Sequence, residues 1–251
     1  MTEPSTTTQP DIFDHALTAP DGPPLLIERT DGHTSTTDLN WWLGRTGAVP
    51  PSDVAALDWI TTVPGTVLDI GCCTGRHLKH LAERGLTATG IDTSAAAIRL
   101  AQQAGLNAHL ADAHHYTPTA PVDTVIALGG GLGIAATRQG APAFLAHLAS
   151  WLTPTGALIV SSVDWSATAS AHQHRTWTET ALAEGRYPGD VRLRLRHGTL
   201  TGGWFDWTWI DPATLRDVAA EAGLTVSATR RFGTSWYAAL LHHANTQRQA
   251  S

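Results

Sequence analysis

The chain alternates short apolar runs with longer segments in which apolar residues recur every three or four positions. Val67-Leu68-Asp69-Ile70 predicts a buried parallel strand at 66–70, because a strand covered on both faces carries a nearly continuous apolar run. Similar runs at 87–91, 106–110, 124–128 and 157–162 predict four more strands. Between them, residues 75–84 place Leu78, Leu81 and Ala82 on one helical face, and Gly85 ends that helix. Ser94 caps a helix at 95–104 that Gly105 stops, and a third helix at 141–152 stops before Pro154-Thr155-Gly156. Strand, helix and strand at this spacing imply right-handed parallel crossovers.

The rhythm breaks after Ser162. Residues 163–185 are rich in Ser, Thr and His and are expected to be partly helical. Residues 191–196 and 204–209 alternate with period two around 198–203, the pattern of an antiparallel hairpin. A helix at 212–222 and strands at 224–229 and 236–241 follow. Upstream, residues 1–10 have the Thr/Ser/Pro composition of a disordered tail. Residues 11–64 form an N-terminal extension containing Leu25-Leu26-Ile27-Glu28-Arg29, the pair Trp41-Trp42, and a helix from about 52 to 61 with Ser52 as its N-cap. The expected division is therefore a tail (1–10), an extension or lid (11–64) and a main domain (65–245) with an insert at 163–210.

Composition narrows the function. A net charge of −6 over 251 residues argues against a nucleic-acid partner, which clustered cations would bind. Lys79 is the only Lys, and Arg192, Arg194 and Arg196 fall on one face of an expected strand. Cys72 and Cys73 are adjacent, a poor geometry for a structural disulfide. No apolar run reaches membrane-spanning length and the first ten residues are polar, so a soluble cytoplasmic protein is expected.

The turn Gly71-Cys72-Cys73-Thr74-Gly75 after the first strand, and Asp92 after the second, suit a nucleotide-type cofactor at the carboxyl edge of the sheet. A dinucleotide site also places an acid there, but its Gly-x-Gly-x-x-Gly spacing is absent. In order along the chain, Leu68-Asp69-Ile70-Gly71-Cys72-Cys73-Thr74-Gly75, Gly90-Ile91-Asp92, Asp112-Ala113, the segment 123–128 and Leu152-Thr153-Pro154-Thr155-Gly156 resemble the class I S-adenosyl-L-methionine (SAM) dependent methyltransferases. Glu28-Arg29-Thr30-Asp31-Gly32 and Gly75-Arg76-His77 are closer to a group of small bacterial methyltransferases. The family commonly has glycine where Cys73 stands.

The resemblance implies a Rossmann-like α/β fold: a seven-stranded, mostly parallel sheet with a reversed C-terminal strand hairpin, helices on both faces, and an inserted hairpin after strand five. It implies SAM as cofactor, S-adenosylhomocysteine as product, and a site of Asp69, Gly71, Cys72, Gly75, Asp92, Thr93, Asp112, Ala113 and Leu128. Asp92 would hold the ribose, Asp112-Ala113 the adenine, and Gly71 and Gly75 the methionine end. The expected acceptor is a small molecule of specialised (natural-product) metabolism, and the expected assembly a monomer or homodimer.

Acceptor candidates are Trp41, Trp42, Arg45, Trp165 and Trp204, with Arg175 as a further cation for a substrate carboxylate. The hairpin tryptophans either line a lid or pack an added layer. Asp164, Asp206 and His115 are weak candidates for a base. Cys73 is either a tolerated small residue outside the glycine-only backbone region or a thiol activated by the helix N-terminus. His77 and His80 fall near a surface face and, like the other histidines, carry no metal-ligand partners, so no metal is expected. Two alternatives to methyl transfer remain: a SAM-using reaction of another kind (aminocarboxypropyl transfer or cyclisation), and a non-catalytic SAM-binding regulator.

Overall fold

The computed structural model describes residues 11–45, 49–62, 65–168 and 172–244; the tail expected at 1–10 lies outside them. The N-terminal part contains α1 (Ile12–Thr18), β1 (Leu25–Arg29), β2 (Thr34–Thr37), α2 (Leu39–Trp42) and α3 (Pro51–Leu57), which runs into a 3-10 turn at Asp58–Thr62. The main run follows as β3 (Val67–Ile70), α4 (Arg76–Glu83), β4 (Ala88–Asp92), α5 (Ala95–Gln103), β5 (Ala108–Leu110), β6 (Val122–Ala127), α6 (Ala141–Ala149) and β7 (Leu152–Val163). Then come α7 (Trp165–Thr168), α8 (His172–Ala183), β8 (Asp190–His197), β9 (Leu200–Thr201), β10 (Phe205–Thr208), α9 (Pro212–Glu221), β11 (Leu224–Phe232) and β12 (Trp236–His243).

Seven strands form the central sheet in the order β11-β12-β7-β6-β3-β4-β5. Neighbours from β7 through β5 pair in parallel, and β12 enters antiparallel between β7 and β11. Period two sorts each strand's side chains into two cores. Leu68, Ile70, Val125, Ala127, Leu158 and Val160 face a core closed by α6 and α9. Val67, Ile126, Ala157 and Ile159 face the other, closed by Ala56 and Leu57 of α3 and Leu81 of α4. All four residues of β3 are buried, Asp69 included, as a strand covered on both faces requires.

A second sheet, β10-β8-β1-β2 with β9 paired to β8, joins the N-terminal extension to the insert. The hairpin expected at 191–209 is present, but Leu193–His197 of its inner strand β8 also pairs with the whole of β1, from Leu25↔His197 to Arg29↔Leu193. The arginine face of β8 points outward. Arg194 binds Glu28 of β1 at 2.9 Å, and Arg192 meets Asp206 of β10 at 3.0 Å.

Two local expectations fail. The helix expected at 141–152 ends at Ala149, and residues 152–156, expected as a turn, already belong to β7. Ser52 does not cap α3; Pro50 is the N-cap, without a side-chain bond, and Pro51 takes the first helical position, where the missing N–H costs nothing. Ser94 does cap α5, its Oγ accepting from the Ala97 amide at 3.0 Å.

Candidate active site

The carboxyl ends of β3, β4 and β6 open into a cavity of about 590 Å³, roofed by the inner face of the second sheet. The turn after β3 is wound tightly, with Gly71, Cys73 and Gly75 in the left-handed region at φ 68°, 50° and 85°. Both Gly71 and Cys72 donate their amides to the Ile91 carbonyl, at 2.9 and 3.1 Å. Asp92 then fixes the turn from the next strand: its Oδ2 accepts the Cys73 amide and its Oδ1 the Ser94 amide, both at 2.8 Å. Burial pushes the Asp92 carboxyl above its usual value, and the two amide bonds oppose that. A carboxylate has about four acceptor positions, so two stay available for further donors.

Gly71, Cys72, Asp92, Thr93, Asp112, Ala113 and Leu128 all line the cavity. Asp112 accepts the His114 amide at 2.9 Å, and that bond, with His115, holds its carboxyl below the usual range. Two expected members lie outside the lining. Asp69 is buried behind the turn, 3.4 Å from His77. Gly75 caps α4, and a side chain there would collide with Leu106 of the neighbouring helix–strand turn, so its glycine serves packing.

Neither sequence reading of Cys73 holds. Its φ of 50° lies in the left-handed region, disfavoured for residues with a Cβ. Burial, and then the Asp92 charge, push its thiol up to about 12, the opposite of activation. The side chain packs against the buried cluster of Leu17, Ala96 and Ala97, with its Sγ 3.8 Å from the Trp42 carbonyl.

Trp41 and Trp42 line the cavity and are tied to the turn. The Trp42 carbonyl accepts the Thr74 hydroxyl at 2.6 Å, the Trp41 carbonyl accepts from Arg76 at 3.2 Å, and the Arg76 guanidinium stacks 3.7 Å above the Trp41 ring. On the other side, Asp14 of α1 binds the Ser94 hydroxyl and the Ala96 amide. The extension thus spans the turn and the start of α5.

The remaining acceptor and base candidates point elsewhere. Arg45 and Arg175 are exposed and outside the lining. Trp204 lies under the outward-facing Arg194, at 4.5 Å. Trp165 borders a smaller adjoining cavity of about 130 Å³ and meets Tyr187 edge-on. Asp164 is buried against Arg231 (2.7 Å) and Ser166, Asp206 is exposed beside Arg192, and His115 is 83% exposed beside Asp112. Strand alternation explains the pair in the hairpin: Phe205 and Trp207 turn inward with Trp209 beyond them, so Asp206 must face out.

Sequence reasoning missed the roof. Leu25, Ile27 and Arg29 of β1 and Leu193 and Leu195 of β8 line the cavity, as do His33, His174 and Trp236. The short apolar run Leu25-Leu26-Ile27 was the available signal; its partner strand, more than 160 residues away, was not. His77 was also misplaced: it is buried, with Nε2 3.0 Å from Asp53 and Nδ1 3.4 Å from Asp69.

Residues 67–156 match a family model described as a methyltransferase domain. That domain, in a seven-stranded sheet whose last strand is reversed, has the fold of the class I SAM-dependent methyltransferases. Among solved structures, a SAM-dependent methyltransferase from Bacteroides fragilis, in complex with S-adenosyl-L-homocysteine, superposes with a TM-score of 0.77 at 22% identity, covering 93% of each chain. The CcbJ methyltransferase from Streptomyces caelestis follows at 0.60 and 17% identity, over 79% of this chain and 91% of its own. CalS10 from Micromonospora echinaspora, an amino pentose methyltransferase of calicheamicin biosynthesis, gives 0.52 and 17%, over 80% and 94%. No curated protein matches the chain. Among the described residues, no helix is long and apolar enough to cross a membrane.

Proposed function

We propose that this chain is a SAM-dependent methyltransferase acting on a small-molecule acceptor, in the manner of specialised metabolism. The observation that carries the reading is one continuous cavity that runs from Asp92 and the Gly71 turn to Trp207 and Trp236 under the roof. Such a space accommodates a nucleoside at the strand edge and a second ligand beside it.

The residues fit the cofactor. Asp92 retains acceptor positions for a ribose diol, the geometry its carboxylate and two amide bonds leave open. Gly71 keeps the backbone bare where a close approach is needed; a Cβ there would meet only Ile134, at 3.5 Å. The N-terminus of α4 has no side-chain cap, which suits a carboxylate. Asp112, Ala113 and Leu128 supply the wall expected for a purine. When bound, SAM supplies an activated methyl group.

This chain's own work is alignment and exclusion of water. The roof sheet and α2 cover the strand edge, so acceptor and methyl donor meet in a space screened by Trp41, Trp207 and Leu195. The likeness to CalS10, an amino pentose methyltransferase of calicheamicin biosynthesis, supports a small acceptor.

Calorimetric titration with S-adenosylhomocysteine tests the cofactor assignment. Product analysis with SAM then tests the reaction: S-adenosylhomocysteine marks methyl transfer, and methylthioadenosine would mark transfer of the aminocarboxypropyl arm.

A further inference from the structure

The roof side of the cavity carries a cluster that nucleoside binding does not use. His33, in the β1–β2 turn, and His174, on α8, both line the cavity, with ring centroids 5.4 Å apart at 65°. Arg29 lies beside them, 2% exposed, bound through two nitrogens to Asp31 at 2.9 and 2.6 Å and stacked 4.9 Å over Trp177. His174, Arg29 and Trp209 also border the adjoining 130 Å³ cavity, so His174 stands in the wall between the two spaces.

Resting on the methyltransferase reading above, we infer that His174, with His33 beside it, is the general base for a flat, largely apolar acceptor of the phenol class, seated against Phe205, Trp207 and Trp236. Three observations carry this. The seat is aromatic, and Phe205 and Trp236 are 39% and 45% exposed, large rings open at the mouth of a cavity. The carboxylates among the described lining residues are Asp92 and Asp112, both at the strand edge. On the roof side Arg29 is already paired with Asp31, and among the described lining residues no carboxylate stands there to hold an ammonium. Finally, the imidazole is kept in its proton-accepting form. Burial, then the facing charges of Arg29 and His33, hold His174 below its ordinary value, with Asp31 opposing them.

The acceptor O–H bond breaks and its proton passes to an imidazole nitrogen of His174. The freed oxygen pair forms the bond to the methyl carbon as the carbon–sulfur pair returns to sulfur. The imidazolium then loses its proton to water.

The test uses the full chain and 7-hydroxycoumarin, a flat phenol whose anion has its own absorbance band. Calorimetry with S-adenosylhomocysteine comes first; failure there removes the cofactor reading rather than this one. With that ligand saturating, 7-hydroxycoumarin is expected to bind and to ionise about one pH unit lower than in free solution. His174→Gln is expected to keep binding within about threefold, lose the downward shift, and cut formation of 7-methoxycoumarin with SAM by about a hundredfold or more at similar KM. The acidic limb of the pH–rate profile should vanish with it. His174→Asn gives the same readout should the Gln variant lose its melting transition. The inference is overturned if S-adenosylhomocysteine binds and the phenol does not, or if both His174 variants titrate and turn over like the parent.

Discussion

His77 Nε2 lies 3.0 Å from Asp53 Oδ2, joining the helix that carries the cofactor-side turn to the N-terminal extension. Asp69 completes the group from β3, and all three side chains are buried. Burial alone would lower the imidazole's proton affinity, but the two carboxylates outweigh it and raise His77 to about 9. The folded value thus exceeds the unfolded one of about 6.5. The stabilisation is complete below the unfolded value and is lost as pH rises through about 9. Urea unfolding at pH 7 and pH 10 should show the parent weaker at pH 10. His77→Gln should cost about 3 kcal/mol at pH 7, because it takes the charged partner from buried Asp69 and leaves Asp53 to Arg76 and Ser52, and should flatten the slope.

Asp92 both braces the turn through the Cys73 amide and faces the cavity. Removing a carboxylate that accepts two hydroxyls should cost about 3 kcal/mol of binding, roughly a hundredfold in Kd. Asp92→Ala is therefore expected to weaken S-adenosylhomocysteine binding by that factor in calorimetry while the circular dichroism spectrum stays unchanged. Unchanged affinity would remove the ribose assignment.

The two thiols should be inert in the folded chain. Cys73 is pushed up to about 12, chiefly by burial, and burial pushes Cys72 up as well. Labelling with Ellman's reagent at pH 8 should be slow in buffer and fast in urea. Cys73→Gly releases left-handed strain of about 1 kcal/mol, but it also loses contact with Trp42 and adds unfolded-state freedom. Its net effect on stability should stay under about 1 kcal/mol.

Gly133 lies flush against the Trp207 indole, and a Cβ there would overlap the ring. Gly133→Ala must either displace Trp207 or strain the 3-10 turn at Gly131–Ala135. A loss of about 1–3 kcal/mol is expected, with altered tryptophan fluorescence. Phenol binding should weaken too, since Trp207 lines the cavity on the side proposed for the acceptor.

Much of this architecture is legible in the chain because it is local. Leu68-Asp69-Ile70 followed by glycine, and Ser94 before an alanine-rich helix, announce their strand end and helix start within a few residues. What escapes reading is set by distant partners. Nothing near Leu25–Arg29 announces Leu193–His197, yet that pairing makes the roof and brings Arg29 toward His174. His77 looks like a solvated helix residue until Asp53, 24 positions earlier, is folded against it. Trp204 and Trp207 are equally aromatic in sequence; only the pleat decides that one lies under Arg194 and the other against the cavity.

The pairing of β1 with β8 also carries a liability. A fragment beginning at Thr66 would retain every strand of the central sheet but strip β8 of its neighbour, leaving a row of unsatisfied amides and carbonyls next to Leu193 and Leu195. Such a truncated chain should recruit other copies of itself edge to edge, so β1 acts as a built-in guard against self-association as well as a cover for the pocket.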